Sequence, residues 1–123
     1  LAFYGSVFDF QLRGRVPGMA FLDMGDQFLA ISEGRRQPPD DERHFGLVVD
    51  DLDMAREALA ATGVELLPGH GVSFRDPWGN RVELVGYRDV QFTRTPGVER
   101  ALGIDAVEKT ADAQREIRDG GLA

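Results

Sequence analysis

The sequence contains no cysteine. Disulfides, a thiolate nucleophile, cysteine-held zinc and an iron–sulfur cluster are excluded at once. Histidine is scarce: only His44 and His70 occur, so a metal site has to lean on carboxylates and water. No apolar run approaches the length of about 20 residues that a membrane span needs. The chain opens without a basic segment and a long apolar one behind it, so no signal peptide is legible and a cytoplasmic location is expected. Positive charge is also short. The 14 Lys and Arg face 21 Asp and Glu, a net charge of −7, which argues against nucleic acid because phosphate binding needs clustered cations. What remains is an ordinary globular composition, 42% hydrophobic and 28% charged. The 123 residues suit one domain, which buries roughly two thirds of its unfolded surface, and they are too few for two independent enzymatic domains.

The chain opens on Leu1-Ala2-Phe3-Tyr4, with Phe3 and Val7 at helical spacing and Phe3, Tyr4 and Phe8 widening that face. No N-cap precedes this short helix, so it reads as the second half of an element whose beginning lies before residue 1. Three strands are expected next. Phe10 to Arg15 alternates, Pro17-Gly18 turns the chain, Met19 to Met24 follows, Gly25-Asp26 turns it again, and Gln27 to Ser32 closes the set. In the last run Leu29 and Ile31 share one face, and Phe28, Ala30 and Ser32 the other. Residues 33–43 are polar and carry Pro38-Pro39, the signature of an exposed connector.

The second half repeats this grammar. His44 to Val49 reads as a strand. Asp50, Asp51 and Asp53 supply an N-cap and first-turn acids to a helix marked by Met54, Ala55, Ala58, Leu59 and Thr62, with Gly63 at its end. Strands are expected at Val64 to Leu67, Gly71 to Arg75 and Arg81 to Tyr87. Between the last two, Asp76-Pro77-Trp78-Gly79-Asn80 forms a turn in which Pro fixes φ and Gly and Asn tolerate positive φ. The second half is therefore β-α-β-β-β, and the first is the same pattern lacking its opening strand, an internal repeat. The organisation is a first module over 1–33, a connector over 34–43, a second module over 44–87 and a helical tail over 88–123. In that tail Thr95-Pro96 starts one short helix, with the stripe Val98, Ala101 and Leu102. Thr110 caps another, on which only Ala113 and Ile117 can dock.

His44-Phe-Gly-Leu-Val-Val-Asp-Asp-Leu-Asp, followed by a helix and by Phe74-Arg-Asp-Pro-Trp-Gly-Asn-Arg-Val-Glu-Leu-Val, resembles the vicinal oxygen chelate superfamily. That group comprises glyoxalase I, fosfomycin and bleomycin resistance proteins and extradiol dioxygenases. The resemblance covers residues 2–87, and residues 76–83 are its most specific part. It implies an α+β fold of paired βαβββ modules forming an open, cup-shaped mixed sheet, with a divalent metal (Fe, Mn, Ni or Zn) inside and His44 and Glu83 among the ligands. Alternation agrees: Val82 and Leu84 face one way and Arg81, Glu83 and Val85 the other, while His44 shares a face with Gly46 and Val48. The resemblance implies a small oxygen-rich substrate and a homodimer. Its other branch implies metal-free sequestration of a small molecule, as in bleomycin resistance. A further ligand from the opening strand of module one would precede residue 1. The glyoxalase I pattern also has a Glu in the last strand of module one. Ala30 and then Ser32 occupy that face here and Glu33 is out of phase, so lactoylglutathione lyase activity is not expected.

Arg81, Phe28, Ser32 and Phe74 are the expected substrate-binding residues; Phe21 is another aromatic for an apolar pocket, although core packing is the default for all three Phe. Arg13, Arg15, Arg35, Arg36 and Arg43 are candidates for an anionic substrate, with Arg35, Arg36 and Arg43 read first as solvated connector residues. His70 reads as a turn residue before a fourth ligand, Trp78 as cover for the sheet edge, and Asp76 as a partner of turn amides. The glycines make no phosphate cradle, and no Ser-His-Asp order is supported.

Overall fold

The computed structural model describes residues 1–40, 42–69, 71–103 and 108–120. A short helix α1 (Ala2–Gly5) leads into three strands, β1 (Gln11–Val16), β2 (Met19–Asp23) and β3 (Phe28–Ser32). They form an antiparallel sheet in the order β1-β2-β3. Pro17 and Gly18 are the two residues between the paired Val16 and Met19. Gly18 has φ +78°, the value the third position of a type II turn demands after Pro. The β1–β2 register shifts between Leu12 and Gly14, which leaves Arg13 as the extra residue of a bulge; its guanidinium reaches Asp23 at 2.7 Å.

The second sheet is built from β4 (Phe45–Val49), β5 (Leu66–Leu67), β6 (Val72–Arg75) and β7 (Arg81–Gly86), in the order β4-β7-β6-β5. β4 and β7 are parallel, so the chain between them must cross over, and it does so through helix α2 (Leu52–Thr62). Asp51 caps α2 by accepting a hydrogen bond from Met54 N at 2.9 Å, and Gly63 ends it in the left-handed region at φ +73°. Met54, expected on the apolar face, is 68% exposed, and Ala55 and Leu59 carry the contact instead. The fold is thus mixed α+β with two open sheets and short C-terminal helices.

One core serves both sheets. Leu22 from the first sheet, Leu47, Val72, Phe74, Val82 and Leu84 from the second, Leu59 from α2, and Tyr4 and Phe8 from the N-terminal segment form a single buried cluster. The sheets are also joined by a side chain. Gln27 donates from Nε2 to Val48 O at 2.6 Å and accepts at Oε1 from Val48 N at 2.7 Å, so one amide satisfies both peptide groups of a β4 residue.

The tail is tied to the same frame. A 3-10 turn (Tyr87–Asp89) follows β7, then helix α3 (Pro96–Leu102) and helix α4 (Ala111–Asp119). The α3 side chain Leu102 lies against Gly25, where an added Cβ would fall 2.2 Å from its Cδ2. Leu102 of the expected stripe therefore meets the chain's own β2–β3 turn. On α4 the buried residues are Ala113 and Ile117, the pair expected to dock. Arg94, 4% exposed at its side chain, pairs with Asp26 at 2.5 Å and with Asp50 at 2.7 Å. Its guanidinium lies 4.1 Å from the centre of the Tyr87 ring, which also has the Lys109 ammonium at 3.6 Å.

Candidate functional site

β7 alternates strictly: Val82, Leu84 and Gly86 are buried, while Arg81, Glu83 and Val85 are half-buried on the opposite face. The parallel register sets Gly46 of β4 beside Glu83. His44, two residues earlier and just outside β4, shares that face at the level of Arg81. His44 Nε2 and Glu83 Oε2 consequently lie 3.0 Å apart. Their side chains are 38% and 35% exposed, so the pair is open to solvent and contributes little as an ion pair. Ser73 of β6 is the register partner of Glu83 on the other side. An added Cβ at Gly71 would meet the Glu83 carboxylate only at 4.0 Å, so that side of the carboxylate is uncrowded.

A cleft of about 1340 Å³ lies beside this pair, bounded by the ends of β1 and β3, the connector, α1 and the start of β7. It exceeds the roughly 300–1,000 Å³ of sites for drug-sized ligands, so a small ligand would occupy only part of it. His44, Arg81, Ala30 and Ser32 line it. Glu83 does not, and His44, which it contacts, links it to the lining.

Four of the expected site residues thus come to one region, His44, Glu83, Arg81 and Ser32. Two do not. Phe28 is 64% exposed and stacks on Phe21 with ring centres 6.0 Å apart, outside the cleft lining. Phe74 is fully buried in the core, because its register partner on β7 is Val82 and not Glu83. His70 lies outside the described residues. Among the described residues no group of three or more His, Cys, Asp and Glu is placed to hold a metal ion. The fit is therefore partial: one imidazole nitrogen and one carboxylate oxygen at ligand spacing.

The connector departs from the expectation of a merely solvated link. It folds back over the β6–β7 turn. Arg35 hydrogen-bonds to Asn80 Oδ1 and to Pro38 O, and Pro39 stands so close to Gly79 that a Cβ there would fall 2.8 Å from Pro39 Cγ. Arg35, Arg36 and Arg43 line the cleft as a result. Asp40 anchors this stretch. Its carboxyl is lowered to about 2 by the Arg43 backbone N–H first, then by the Arg43 guanidinium and the Glu42 N–H. The sequence carries no local signal for this return, since the contacts join residues some 40 positions apart.

In the cleft wall, Asp76 is buried and fully engaged. Oδ1 accepts from Trp78 N and Asn80 N at 3.0 and 2.8 Å, and Oδ2 from Asn80 Nδ2 and the Tyr4 hydroxyl at 2.6 and 2.8 Å. It is a turn organiser, as the residues around it suggest. Burial first, then the hydrogen bond to Asp76 and the carboxylate charge, push the Tyr4 hydroxyl well above the usual tyrosine range. The folded chain keeps that proton where the unfolded chain releases it. The stabilisation is complete below about pH 10 and lost as pH rises beyond it. Melting temperature is expected to fall with pH above that value, and to fall less steeply in Tyr4→Phe; parallel slopes in the two proteins would contradict this account.

The Glyoxalase/Bleomycin resistance protein/Dioxygenase superfamily model matches residues 1–84. No curated protein matches the sequence. Among solved structures, the fosfomycin resistance protein FosX from Listeria monocytogenes, complexed with Mn(II) and sulfate, is 21% identical over 69% of this chain and 76% of that one, TM-score 0.60. Lactoylglutathione lyase from Agrobacterium tumefaciens is 25% identical over 70% and 81%, TM-score 0.53. The bleomycin resistance determinant encoded on transposon Tn5 is 21% identical over 69% and 83%, TM-score 0.53.

Proposed function

We propose that this chain, which belongs to the Glyoxalase/Bleomycin resistance protein/Dioxygenase superfamily, is a divalent-metal-dependent enzyme acting on a small oxygen-rich substrate, with His44 and Glu83 as metal ligands. The observation that carries the reading is the 3.0 Å between His44 Nε2 and Glu83 Oε2 on one open face of the second sheet. Two adjacent ligands of one ion, each at about 2.0–2.2 Å, stand roughly 2.8–3.6 Å apart across octahedral and tetrahedral geometry. A bound metal of this kind supplies Lewis acidity, polarising neighbouring substrate oxygens and stabilising developing negative charge. The chain's own contribution is positioning. Arg81, level with His44, faces the same space and orients a substrate oxygen by hydrogen bonding, and Ser32 offers a hydroxyl from β3. The repeat of residues 1–33 and 44–87 about the connector supports a cup closed by both units.

Metal analysis of the purified protein tests the reading directly. Stoichiometric Mn, Fe, Ni or Zn, surviving gel filtration, is the expected result; its absence after incubation with each ion defeats it. The second reading, metal-free sequestration of a small molecule, is favoured by the lack of a third His, Cys, Asp or Glu near the pair among the described residues. Of the similar solved structures, one is complexed with Mn(II) and another is a bleomycin resistance determinant.

The reaction is not that of lactoylglutathione lyase in this reading. Moving a proton between adjacent carbons needs a positioned base. On β3, Ala30 offers none and Ser32 is a poor base unaided, while Glu33, which also lines the cleft, lies past the end of the strand. With methylglyoxal and glutathione, and Ni²⁺, Zn²⁺ or Mn²⁺ supplied in turn, thioester formation is expected to stay at background; robust turnover would reopen Glu33 as a ligand. The reading also includes a homodimer, supported by the outer edges of β3 and β4, to which no described strand is paired. Light scattering at micromolar concentration is expected to give twice the chain mass, and a monomer would remove that part.

A further inference from the structure

We infer that the cleft selects a small ligand bearing a fully ionised phosphate, phosphonate or carboxylate group, with Arg15 of β1 and Arg36 of the connector as its recognition cations. This rests on the reading of the cleft as the ligand site and adds the substrate class. The observation behind it is an inversion of charge. Arg15, Arg35, Arg36, Arg43 and Arg81 line the cleft against the carboxylates of Glu33, Asp40 and Asp76. That lining is formally +2, whereas the remaining 9 cationic and 18 acidic residues of the chain leave −9. An anion is repelled by most of this protein and attracted at one place, which focuses it there.

The bonding of each group sharpens the point. Asp76 is occupied by four donors and Asp40 by Arg43 and two backbone amides, so neither reaches freely into the space. Arg35 is pinned by oxygens of uncharged groups, Gln37 O at 3.1 Å, Pro38 O at 2.9 Å and Asn80 Oδ1, which fix its position without neutralising it. Arg15 and Arg36 form no ion pair among the described residues. Two exposed guanidinium forks without an ion pair, one on β1 and one in the connector, thus line the same cleft as the pinned Arg35. A planar fork matches carboxylate and phosphate oxygens two at a time. A ligand of that chemistry would bridge β1 to the connector.

The test is isothermal titration of metal-free protein with inorganic phosphate at low ionic strength, with tetramethylammonium as the cationic counterpart. Expected are saturable phosphate binding, no tetramethylammonium binding, and affinity falling roughly tenfold or more in the Arg15→Gln/Arg36→Gln protein as two charge-assisted contacts are lost. Both side chains are exposed, so the variant keeps its fold, which circular dichroism verifies. An Arg115→Gln/Arg118→Gln protein, with the same change in net charge on α4, is expected to bind phosphate as the parent does. Absence of phosphate binding, or equal weakening in the two variants, overturns the inference. Because no metal is added, its failure is separable from failure of metal uptake at His44 and Glu83.

Discussion

Glu83→Ala is expected to lower divalent-metal affinity at least about 100-fold, more than loss of a supporting hydrogen bond to a ligand causes, with the protein still folded. The two halves of this expectation come from different features. Affinity is expected to fall because, in the proposed site, a carboxylate donor is gone and His44 is a monodentate imidazole. Stability holds because the carboxylate is 35% exposed and its neighbour His44 is 38% exposed, so water takes over the freed imidazole and no charge is left in the dry interior. The carboxylate also stands on the face away from the Val82 and Leu84 side chains, so truncation opens no core cavity. Titration calorimetry with Mn²⁺ and Zn²⁺, beside a thermal melt, reads both halves. His44→Ala should behave alike. Unchanged affinity in either variant would remove that residue from the site.

Arg94→Ala is expected to be the most destabilising single change outside the apolar core, by about 3–5 kcal/mol, the range found when one partner of a buried charge pair is removed. In a domain of this size that is a fall of roughly 10–20 °C in Tm. Burial opposes the charge on Arg94, but the hydrogen bonds to Asp26 and Asp50 outweigh it and hold the guanidinium pKa above its ordinary value. Removing the guanidinium leaves Asp26, 13% exposed, without its partner; Asp50, 49% exposed, is rescued by water. The stranded carboxylate at Asp26 therefore dominates the cost. Asp26→Asn introduced into Arg94→Ala should then restore part of the loss, a sign of coupling that two independent defects would not give. Simple additivity would show that the effect comes from lost packing against Tyr87.

The strands and both turns between strongly apolar runs were legible because alternation and the Pro-Gly and Asp-Pro-Trp-Gly-Asn segments act within a few residues of themselves. The opposite faces of Val82 and Glu83 followed from the same alternation. Phe74 did not, because its face depends on the β6–β7 register, a relation between strands that one shift of a residue reverses. The connector was read as solvated from its composition. Its prolines and arginines are indeed exposed, yet they lie across the β6–β7 turn through contacts of long sequence separation. Arg94 gave no signal at all. Its partners Asp26 and Asp50 sit in two different turns, and only the meeting of both sheets with the tail brings the three together.

The amide of Gln27 has a bearing on solubility. β4 is one of the two outer strands of its sheet, and an outer strand offers unsatisfied peptide groups to any passing chain, the usual start of fibrous aggregation. At Val48 both of those groups are already taken by one side chain from the β2–β3 turn. A foreign strand arriving there would have to displace two short hydrogen bonds before forming any of its own. Gln27 thereby acts as a gatekeeper near the C-terminal end of β4, steering any edge-to-edge association of this protein toward the opposite end of that strand or toward the other outer strands β1, β3 and β5.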